Sequence, residues 1–137
     1  MKILLDTCIV IDFLQKREPF AQAAYDIFYA IATNKLSCFI TAKSATDIYY
    51  LMYRFTHNEQ LARNNLSSLL TVVAVLDTKA DDIFEAIVSP TSDFEDAVMI
   101  ATARNNAINC IVTRNTKDYS KSPLPIYTPD ELLQKLK

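Results

Sequence analysis

Four aspartates of this sequence, Asp6, Asp47, Asp96 and Asp118, could take part in chemistry because of where they lie. Asp6 and Asp118 come after short apolar runs, and Asp47 and Asp96 lie in segments with helical periodicity. Carboxylate oxygens are hard ligands that suit Mg²⁺ or Mn²⁺, ions that keep several waters and bind through few carboxylates together with phosphate groups. A histidine-rich zinc site is excluded, because His57 is the only histidine. The aspartates together indicate a site for Mg²⁺ or Mn²⁺.

Each aspartate taken alone also has a structural interpretation. Asp6 stands where a helix begins, so it could be the N-cap of that helix. Asp47 would be an ordinary first-turn residue if its helix began near Ser44, and Asp118 could form an Asx turn in its loop. Asp12 could be a residue that supports the metal ligands, but a solvated position or a local cap is preferred, since aspartate is mostly exposed in folded proteins. At the level of single residues these alternatives stay open.

The segment Ser92–Asp96 indicates the start of a helix. Ser92 and Glu95 have the spacing of a capping box, in which the two side chains satisfy free backbone N–H groups of the first turn. Glu95 is therefore assigned to helix initiation rather than to chemistry. Asp93 and Asp96 are one turn apart and share a face, where the helix dipole or a cation must offset their repulsion.

The composition restricts the class of protein. A chain of 137 residues, half of them hydrophobic, can bury a core as one domain, residues 1–137, without disulfides or a structural metal. It contains no glycine, which excludes the glycine-rich phosphate loops of nucleotide-binding enzymes. Asparagines at 64–65, 105–106 and 109 are then the candidates for left-handed turns. The net charge of −2 confines nucleic-acid contacts to local basic patches.

The cysteines and the absence of long apolar segments indicate the compartment. Cys8, Cys38 and Cys110 lie in apolar runs and lack the spacing of zinc or redox sites, which favours buried, reduced thiols. No segment approaches the roughly 20 apolar residues that a membrane-spanning helix needs. We therefore expect a cytoplasmic protein without a membrane partner.

Short apolar runs alternate with longer segments of helical period, which is typical of βαβ units in a parallel sheet. The pattern predicts strands at Lys2–Asp6, Ser37–Ile40, Val72–Leu76, Cys110–Thr113 and Pro125–Tyr127. It predicts helices at Ile9–Gln15, Phe20–Thr33, Ala42–Phe55, Glu59–Leu70, Lys79–Val88, Phe94–Asn106 and Pro129–Leu136. In open parallel sheets, sites form beyond the carboxyl ends of strands, so Asp6 and Thr113–Asn115 would be neighbours if the strand order reverses beside the first strand.

Four ordered blocks of the sequence resemble a PIN domain, close to the VapC-like toxin ribonucleases and related stand-alone PIN proteins. They are Leu4–Thr7 followed by Asp12, Thr46–Ile48, Asp93–Ala97 followed by Ile100–Ala103, and Val112–Tyr119. The blocks span nearly the whole chain in the order found in the family. The resemblance implies a three-layer αβα fold with a central parallel sheet in the strand order 3-2-1-4-5.

The resemblance also implies roles for individual residues. Asp6 matches the first metal ligand of the family, Asp96 the third acidic residue and Asp118 the fourth. Asp47 matches the second acidic position, where the family more commonly has glutamate, and its shorter side chain is compatible with a water-bridged contact. The polar residues that usually support the site are matched by Thr113 and Asn115, with Thr7 and Asp93 as further supporting residues.

The function implied by the resemblance is hydrolysis of RNA phosphodiester bonds with Mg²⁺ or Mn²⁺, as the toxin of a toxin–antitoxin pair. It also implies a homodimer, and an antitoxin protein that would cover the acidic cleft. Four basic residues near the expected cleft are candidate phosphate contacts, namely Lys43, Arg104, Arg114 and Lys117. Apolar helix faces rich in aromatic residues, at Tyr25, Phe28, Tyr29, Tyr49, Tyr50 and Tyr53, are assigned mainly to the core.

Three other interpretations of the sequence are alternatives to a nuclease. A phosphoaspartate enzyme of the haloacid-dehalogenase type needs a second aspartate two residues after Asp6, where this chain has Cys8. A receiver-like domain would use Asp77 but needs an acidic residue where Thr7 stands. The third alternative is a PIN-like module with weak or no catalysis that binds RNA or a protein partner, and Asp47 in place of glutamate is its motivation.

Overall fold

A computed structural model describes all 137 residues of the chain. The five strands are β1 (Lys2–Leu5), β2 (Ser37–Thr41), β3 (Ala74–Leu76), β4 (Cys110–Val112) and β5 (Ile126–Tyr127). The seven helices are α1 (Thr7–Leu14), α2 (Ala21–Ala32), α3 (Ala42–Thr56), α4 (Glu59–Leu69), α5 (Ala80–Ile87), α6 (Phe94–Asn105) and α7 (Pro129–Lys135). A short 3₁₀ helix, Thr116–Tyr119, follows β4. The predicted strands and α-helices are all present, with bounds that differ by at most two residues.

The strands form one parallel sheet in the order β3-β2-β1-β4-β5, as the resemblance implies. The central strand β1 pairs with β2 on one side, where Ile3 lies opposite Cys38, and with β4 on the other, where Leu5 lies opposite Val112. The chain therefore leaves β1 in one direction along the sheet and returns to its other side at β4. The carboxyl ends of β1, β2 and β4 are brought together at this reversal of strand order.

Alternate residues of the strands pack on opposite faces of the sheet, as the two-residue period of a strand requires. Ile3 and Leu5 of β1 belong to the larger core, with residues of α1, α2, α3 and α7. Leu4 and Ile111 face the other side and pack with residues of α6 and with Tyr119. Helices thus cover both faces of the sheet, which gives the three layers of an αβα fold.

Helix ends account for the departures from the sequence predictions. The predicted capping box Ser92–Glu95 is wrong, because Asp93 is the N-cap of α6 and accepts a hydrogen bond from Asp96 N at 3.0 Å. The asparagines predicted at left-handed turns do not have positive φ angles. The residues that do are Lys16, Asn34, His57 and Ala107. None of the helices is long and apolar enough to cross a membrane.

Candidate functional site

A cleft of about 610 Å³ lies at the carboxyl ends of β1 and β2, between α3 and the start of α6. Its wall contains three of the four predicted aspartates, Asp6, Asp47 and Asp96. Asp6 directly follows β1, Asp47 lies on the second turn of α3, and Asp96 lies on the first turn of α6. Three separate elements therefore bring carboxylates that are distant in the sequence to one cleft.

Asp6 is both the N-cap of α1 and part of the cleft wall. Its Oδ1 accepts a hydrogen bond from the backbone N–H of Thr7 at 2.7 Å, and its Oδ2 accepts one from the hydroxyl of Thr113 at 2.7 Å. Burial raises the pKa of Asp6, and the hydrogen bonds from Thr113 and Thr7 counteract this only in part. Capping and chemistry are therefore not alternatives at this position, because the cap geometry fixes the carboxylate in the cleft.

Asp96 is the most strongly perturbed carboxylate of the cleft. The hydroxyl of Tyr119 donates a hydrogen bond to its Oδ1 at 3.0 Å. Burial raises the pKa of Asp96 to about 6, and the negative charges of Asp93, Asp6 and Asp118 act in the same direction, against the bond from Tyr119. A carboxylate that is both desolvated and surrounded by like charges is a favourable place for a cation.

Tyr119 lies between Asp96 and Asp6 and is buried, with 1% of its surface exposed. Besides its bond to Asp96, its hydroxyl is close enough to Asp6 to lower the pKa of that carboxyl. Burial, followed by the charges of Asp6 and Asp96, raises the pKa of Tyr119. Tyr119 was not among the site residues predicted from the sequence. Its position directly after Asp118, in the fourth block, was the available signal, but nothing in the sequence shows that its ring points back into the fold.

Asp47, the cleft carboxylate that α3 contributes, is paired with a lysine. Lys43 Nζ lies 2.6 Å from Asp47 Oδ2 and 3.2 Å from Glu95 Oε2. The prediction that Glu95 acts only in capping is therefore wrong, because Asp93 is the cap and Glu95 points to Lys43. Asp47 is also not a first-turn residue, since Thr41 caps α3 and the helix begins at Ala42.

Asp118 and Asn115 are less closely tied to the cleft. Asp118 is exposed on the 3₁₀ helix and is not part of the cleft wall, although its charge contributes to the raised pKa of Asp96. Asn115 is exposed, and its backbone N–H donates to the hydroxyl of Thr113 at 3.0 Å. Asn115 thus supports Thr113, which holds Asp6, through its backbone rather than its side chain.

An ion-pair network forms around Asp12 and was not expected from the sequence. Asp12 is 1% exposed, so its interpretation as a solvated residue is wrong. Its carboxylate accepts hydrogen bonds from Arg17 at 2.9 Å and from Arg114 at 2.6 and 3.2 Å, and Arg114 also lies over the ring of Phe20. The network ties α1 to the segment that follows Thr113. Arg114 is therefore engaged in the fold, and Arg104 is paired with Glu85 on α5.

The donors of the cleft can be tested against the ions that the sequence predicts. No group of three His, Cys, Asp or Glu side chains is arranged to hold a metal ion. Mg²⁺, however, commonly binds through one or two carboxylates, with waters and substrate phosphate filling the other positions. Asp6 and Asp96 supply two carboxylates whose nearest partners are neutral groups, namely Thr7, Thr113 and Tyr119. The donor set fits such an ion.

The sequence and the fold are both similar to known proteins. A family model described as PIN domain matches residues 2–117. No curated protein sequence matches the chain. Among solved structures, VapBC2 from Rickettsia felis, bound to a DNA fragment from its promoter, has a TM-score of 0.71 and 18% identity, covering 92% of this chain and 97% of that one.

Two further solved structures show the same likeness. A toxin–antitoxin complex from Klebsiella pneumoniae has a TM-score of 0.68 and 23% identity, and the match covers 93% of this chain and 97% of that one. VapC20 from Mycobacterium tuberculosis, described as a toxin that cleaves the sarcin–ricin loop, has a TM-score of 0.62 and 19% identity, with 80% and 86% covered. At these identities the structures are similar to this chain in fold.

Proposed function

The chain belongs to the PIN domain family, and on that premise we propose that it is a divalent-metal-dependent endoribonuclease, with residues 1–137 acting as one catalytic domain. Asp6 and Asp96 would hold the ion, and Asp118 would approach it from the 3₁₀ helix. Asp47 of α3 would be the remaining acidic residue of the site. The carboxylates would be supported by Thr7, Asp93, Thr113 and Asn115.

The observation that carries this proposal is the pair of desolvated carboxylates beside one buried tyrosine. Asp6 and Asp96 come from different elements, share the neighbourhood of Tyr119, and both have a raised pKa. Holding two carboxylates together in a partly buried place costs stability unless a cation or a proton is bound there. A fold selected for stability alone has no need of such a pair, whereas a metal-dependent phosphodiesterase has.

Each part of the cleft has a distinct task in this proposal. When bound, Mg²⁺ or Mn²⁺ supplies an acidified water as nucleophile and offsets the charge that develops on the phosphate. Thr113 and the start of α1 keep Asp6 in one orientation, and Tyr119 does the same for Asp96. Lys43 has an N–H available for a phosphate oxygen, because an ammonium group carries three donors and two carboxylates face it.

The proposed partners are supported by the structures that this chain is similar to. Those include toxin–antitoxin complexes and a toxin described as cleaving the sarcin–ricin loop of RNA. We extend this to the present chain as a toxin that cleaves structured RNA, is held inactive by an antitoxin protein over the cleft, and forms a homodimer. An arginine of the antitoxin would satisfy the carboxylates by bidentate hydrogen bonds in place of the ion.

The test is cleavage of structured RNA by the purified chain with Mn²⁺ or Mg²⁺. We expect Asp6→Asn and Asp96→Asn to lower the rate at least about 100-fold, because each removes several kcal/mol of charge stabilisation and 1.4 kcal/mol is about tenfold in rate. Arg63→Met, which breaks an exposed ion pair with Glu59 on α4, is the matched control and should cleave like the wild type. Equal rates for all four proteins would rule out this site.

A second candidate function rests on the lysine in the cleft. Lys43 Nζ lies 2.6 Å from Asp47 Oδ2 and neutralises that carboxylate. A module that binds RNA or a protein without cleaving it could use such a lysine in place of a metal ion. Such a module would bind no divalent ion. Absence of both RNA cleavage and calorimetric Mn²⁺ binding in the wild type would select this candidate over the nuclease.

A further inference from the structure

Lys43 is the only basic residue in the wall of the acidic cleft. Its ammonium group bridges two elements, with Asp47 of α3 at 2.6 Å and Glu95 of α6 at 3.2 Å. The side chain of Lys43 is 43% exposed and that of Asp47 is 39% exposed, so the pair borders the open cleft rather than the core. The cleft therefore has one built-in cation, which is held between Asp47 of α3 and Glu95 of α6.

Helix preferences do not explain a lysine at this position. Lys43 is the second residue of α3, where the positive end of the helix dipole disfavours a cation. The pair also has its cation on the N-terminal side of its anion, which is the weaker orientation for partners four residues apart. The second partner, Glu95, belongs to α6, so its contact with Lys43 does not stabilise α3 as an isolated helix. The arrangement is better explained by the cleft that it borders than by the helix that it begins.

The aspartates of the cleft differ in the groups that contact them. Asp6 and Asp96 are contacted by neutral donors only, so their negative charge remains available to a metal ion. Asp47 already has a cation in hydrogen-bond contact. A divalent ion bound to Asp47 would lie within a few ångströms of the ammonium group, and two cations at that distance repel each other strongly.

We propose that Lys43 takes the place of a second metal ion, so that the cleft binds one divalent ion at Asp6 and Asp96 while Asp47 is a partner of Lys43 and not a metal ligand. Lys43 is then a positioning residue that holds Asp47 and Glu95 away from the ion. The inference rests on the proposed function, because it specifies the number and the place of the ions which that function requires. It leaves the third ammonium hydrogen free for a phosphate of the substrate.

The experiment counts ions on the full chain without RNA, by calorimetric titration with Mn²⁺ and by electron paramagnetic resonance of bound Mn²⁺. We expect one ion per chain for the wild type and for Asp47→Asn, with affinities within about threefold of each other. Lys43→Met should bind two ions, because Asp47 and Glu95 lose their cation. The double variant Lys43→Met with Asp47→Asn should return to one.

Two further variants separate the charge of Lys43 from its packing. Lys43→Arg keeps a cation beside Asp47 and should bind one ion, and Arg63→Met, which breaks the exposed ion pair of the same spacing on α4, should also bind one. Thermal melts of each variant establish that it is folded before ions are counted.

The possible results distinguish this inference from the proposed function. A wild type that binds two ions, an Asp47→Asn variant that loses the ion, or a Lys43→Met variant that still binds one ion would each overturn the role of Lys43. If such a protein also cleaves RNA with Mn²⁺, the proposed function stands without it. A wild type that neither binds Mn²⁺ nor cleaves RNA would overturn both.

Discussion

The hydroxyl of Tyr119 and the ammonium of Lys43 divide the carboxylates of the cleft into two kinds. Tyr119 is a neutral donor, so it orients Asp96 without removing its charge. Lys43 is a cation, so it both orients Asp47 and neutralises it. Aspartates that look equivalent in the sequence therefore differ in what they can bind. The difference depends on the neighbouring side chains of Tyr119 and Lys43, and not on the aspartates themselves.

The raised pKa of Asp96 predicts how the stability of the metal-free protein depends on pH. Burial raises this pKa from 3.8 to about 6, so the folded state holds a proton more tightly than the unfolded state does. The contribution of Asp96 to stability is then fully present below the unfolded value and is lost as pH rises through about 6. We expect Asp96→Asn, which has no charge to desolvate, to gain stability relative to the wild type over this range.

Urea unfolding of the wild type and of Asp96→Asn between pH 4 and 8, without divalent ions, measures that difference. The variant should become progressively more stable than the wild type from the acidic end of the range to a little above pH 6, with no further change beyond it. A difference in unfolding free energy that stays constant across the range would show that Asp96 titrates at its ordinary value.

At the level of residues, the sequence predicted which aspartates lie in the cleft better than it predicted the residues that contact them. Asp6, Asp47 and Asp96 are recognisable because each belongs to a block with a characteristic order, and the structure brings all three to one cleft. Asp118 is exposed outside the cleft wall, and its role stays a prediction. Tyr119 was not assigned, because its contact with Asp96 depends on how the 3₁₀ helix and α6 pack together. Lys43 was assigned to phosphate, and its contacts with Asp47 and Glu95 were not predicted.

At the level of elements, the strands and helices were predictable because apolar periodicity changes sharply between them. The strands of the sheet are short and nearly continuous in apolar residues, whereas helices such as α2 and α3 bury one stripe, so two periods alternate along the chain. The 3₁₀ helix was missed because its four residues contain only one buried side chain, that of Tyr119. Positive φ angles were misplaced because they follow helix ends, whose exact residue is the least predictable feature of an element.

At the C-terminal end of α3, a residue other than glycine adopts a left-handed backbone conformation, which lowers the stability of the fold. His57 adopts a left-handed conformation with φ 53°, and its backbone N–H donates to Tyr53 O at 2.7 Å. A residue with a Cβ pays about 1 kcal/mol for this conformation, and glycine does not. We expect His57→Gly to raise the free energy of unfolding by up to about 1 kcal/mol, measured by urea unfolding.

His57→Ala is the matched control, because it removes the imidazole and keeps the Cβ. It should be no more stable than the wild type, and both variants should cleave RNA as the wild type does, since His57 is exposed and not part of the cleft wall. A stabilisation of the same size in both variants would place the effect in the imidazole rather than in the backbone.

At the level of the whole molecule, the surface is more apolar than the sequence analysis assumed. Four tyrosines assigned mainly to the core are exposed, namely Tyr25, Tyr29, Tyr50 and Tyr53. Phe84, Ile87 and Val88 at the end of α5 are 66%, 64% and 82% exposed, spaced so that they share one helix face. Aromatic and aliphatic side chains of this kind are enriched where proteins meet. They are compatible with the proposed homodimer and antitoxin, which stay predictions.

Metal binding should stabilise the fold as a whole, because the carboxylates that hold the ion come from two separate elements, the end of β1 and the first turn of α6. A ligand that binds only the folded state at 100 times its dissociation constant adds about 2.7 kcal/mol to the free energy of unfolding. For a chain of this length, that corresponds to a rise in melting temperature on the order of 10 °C. Thermal melts with and without Mn²⁺ measure it directly. Asp6→Asn and Asp96→Asn should lose most of the rise, whereas Asp47→Asn should keep it if Lys43 already neutralises that carboxylate. An equal rise in all four proteins would mean that Mn²⁺ stabilises the chain at some other place than this cleft.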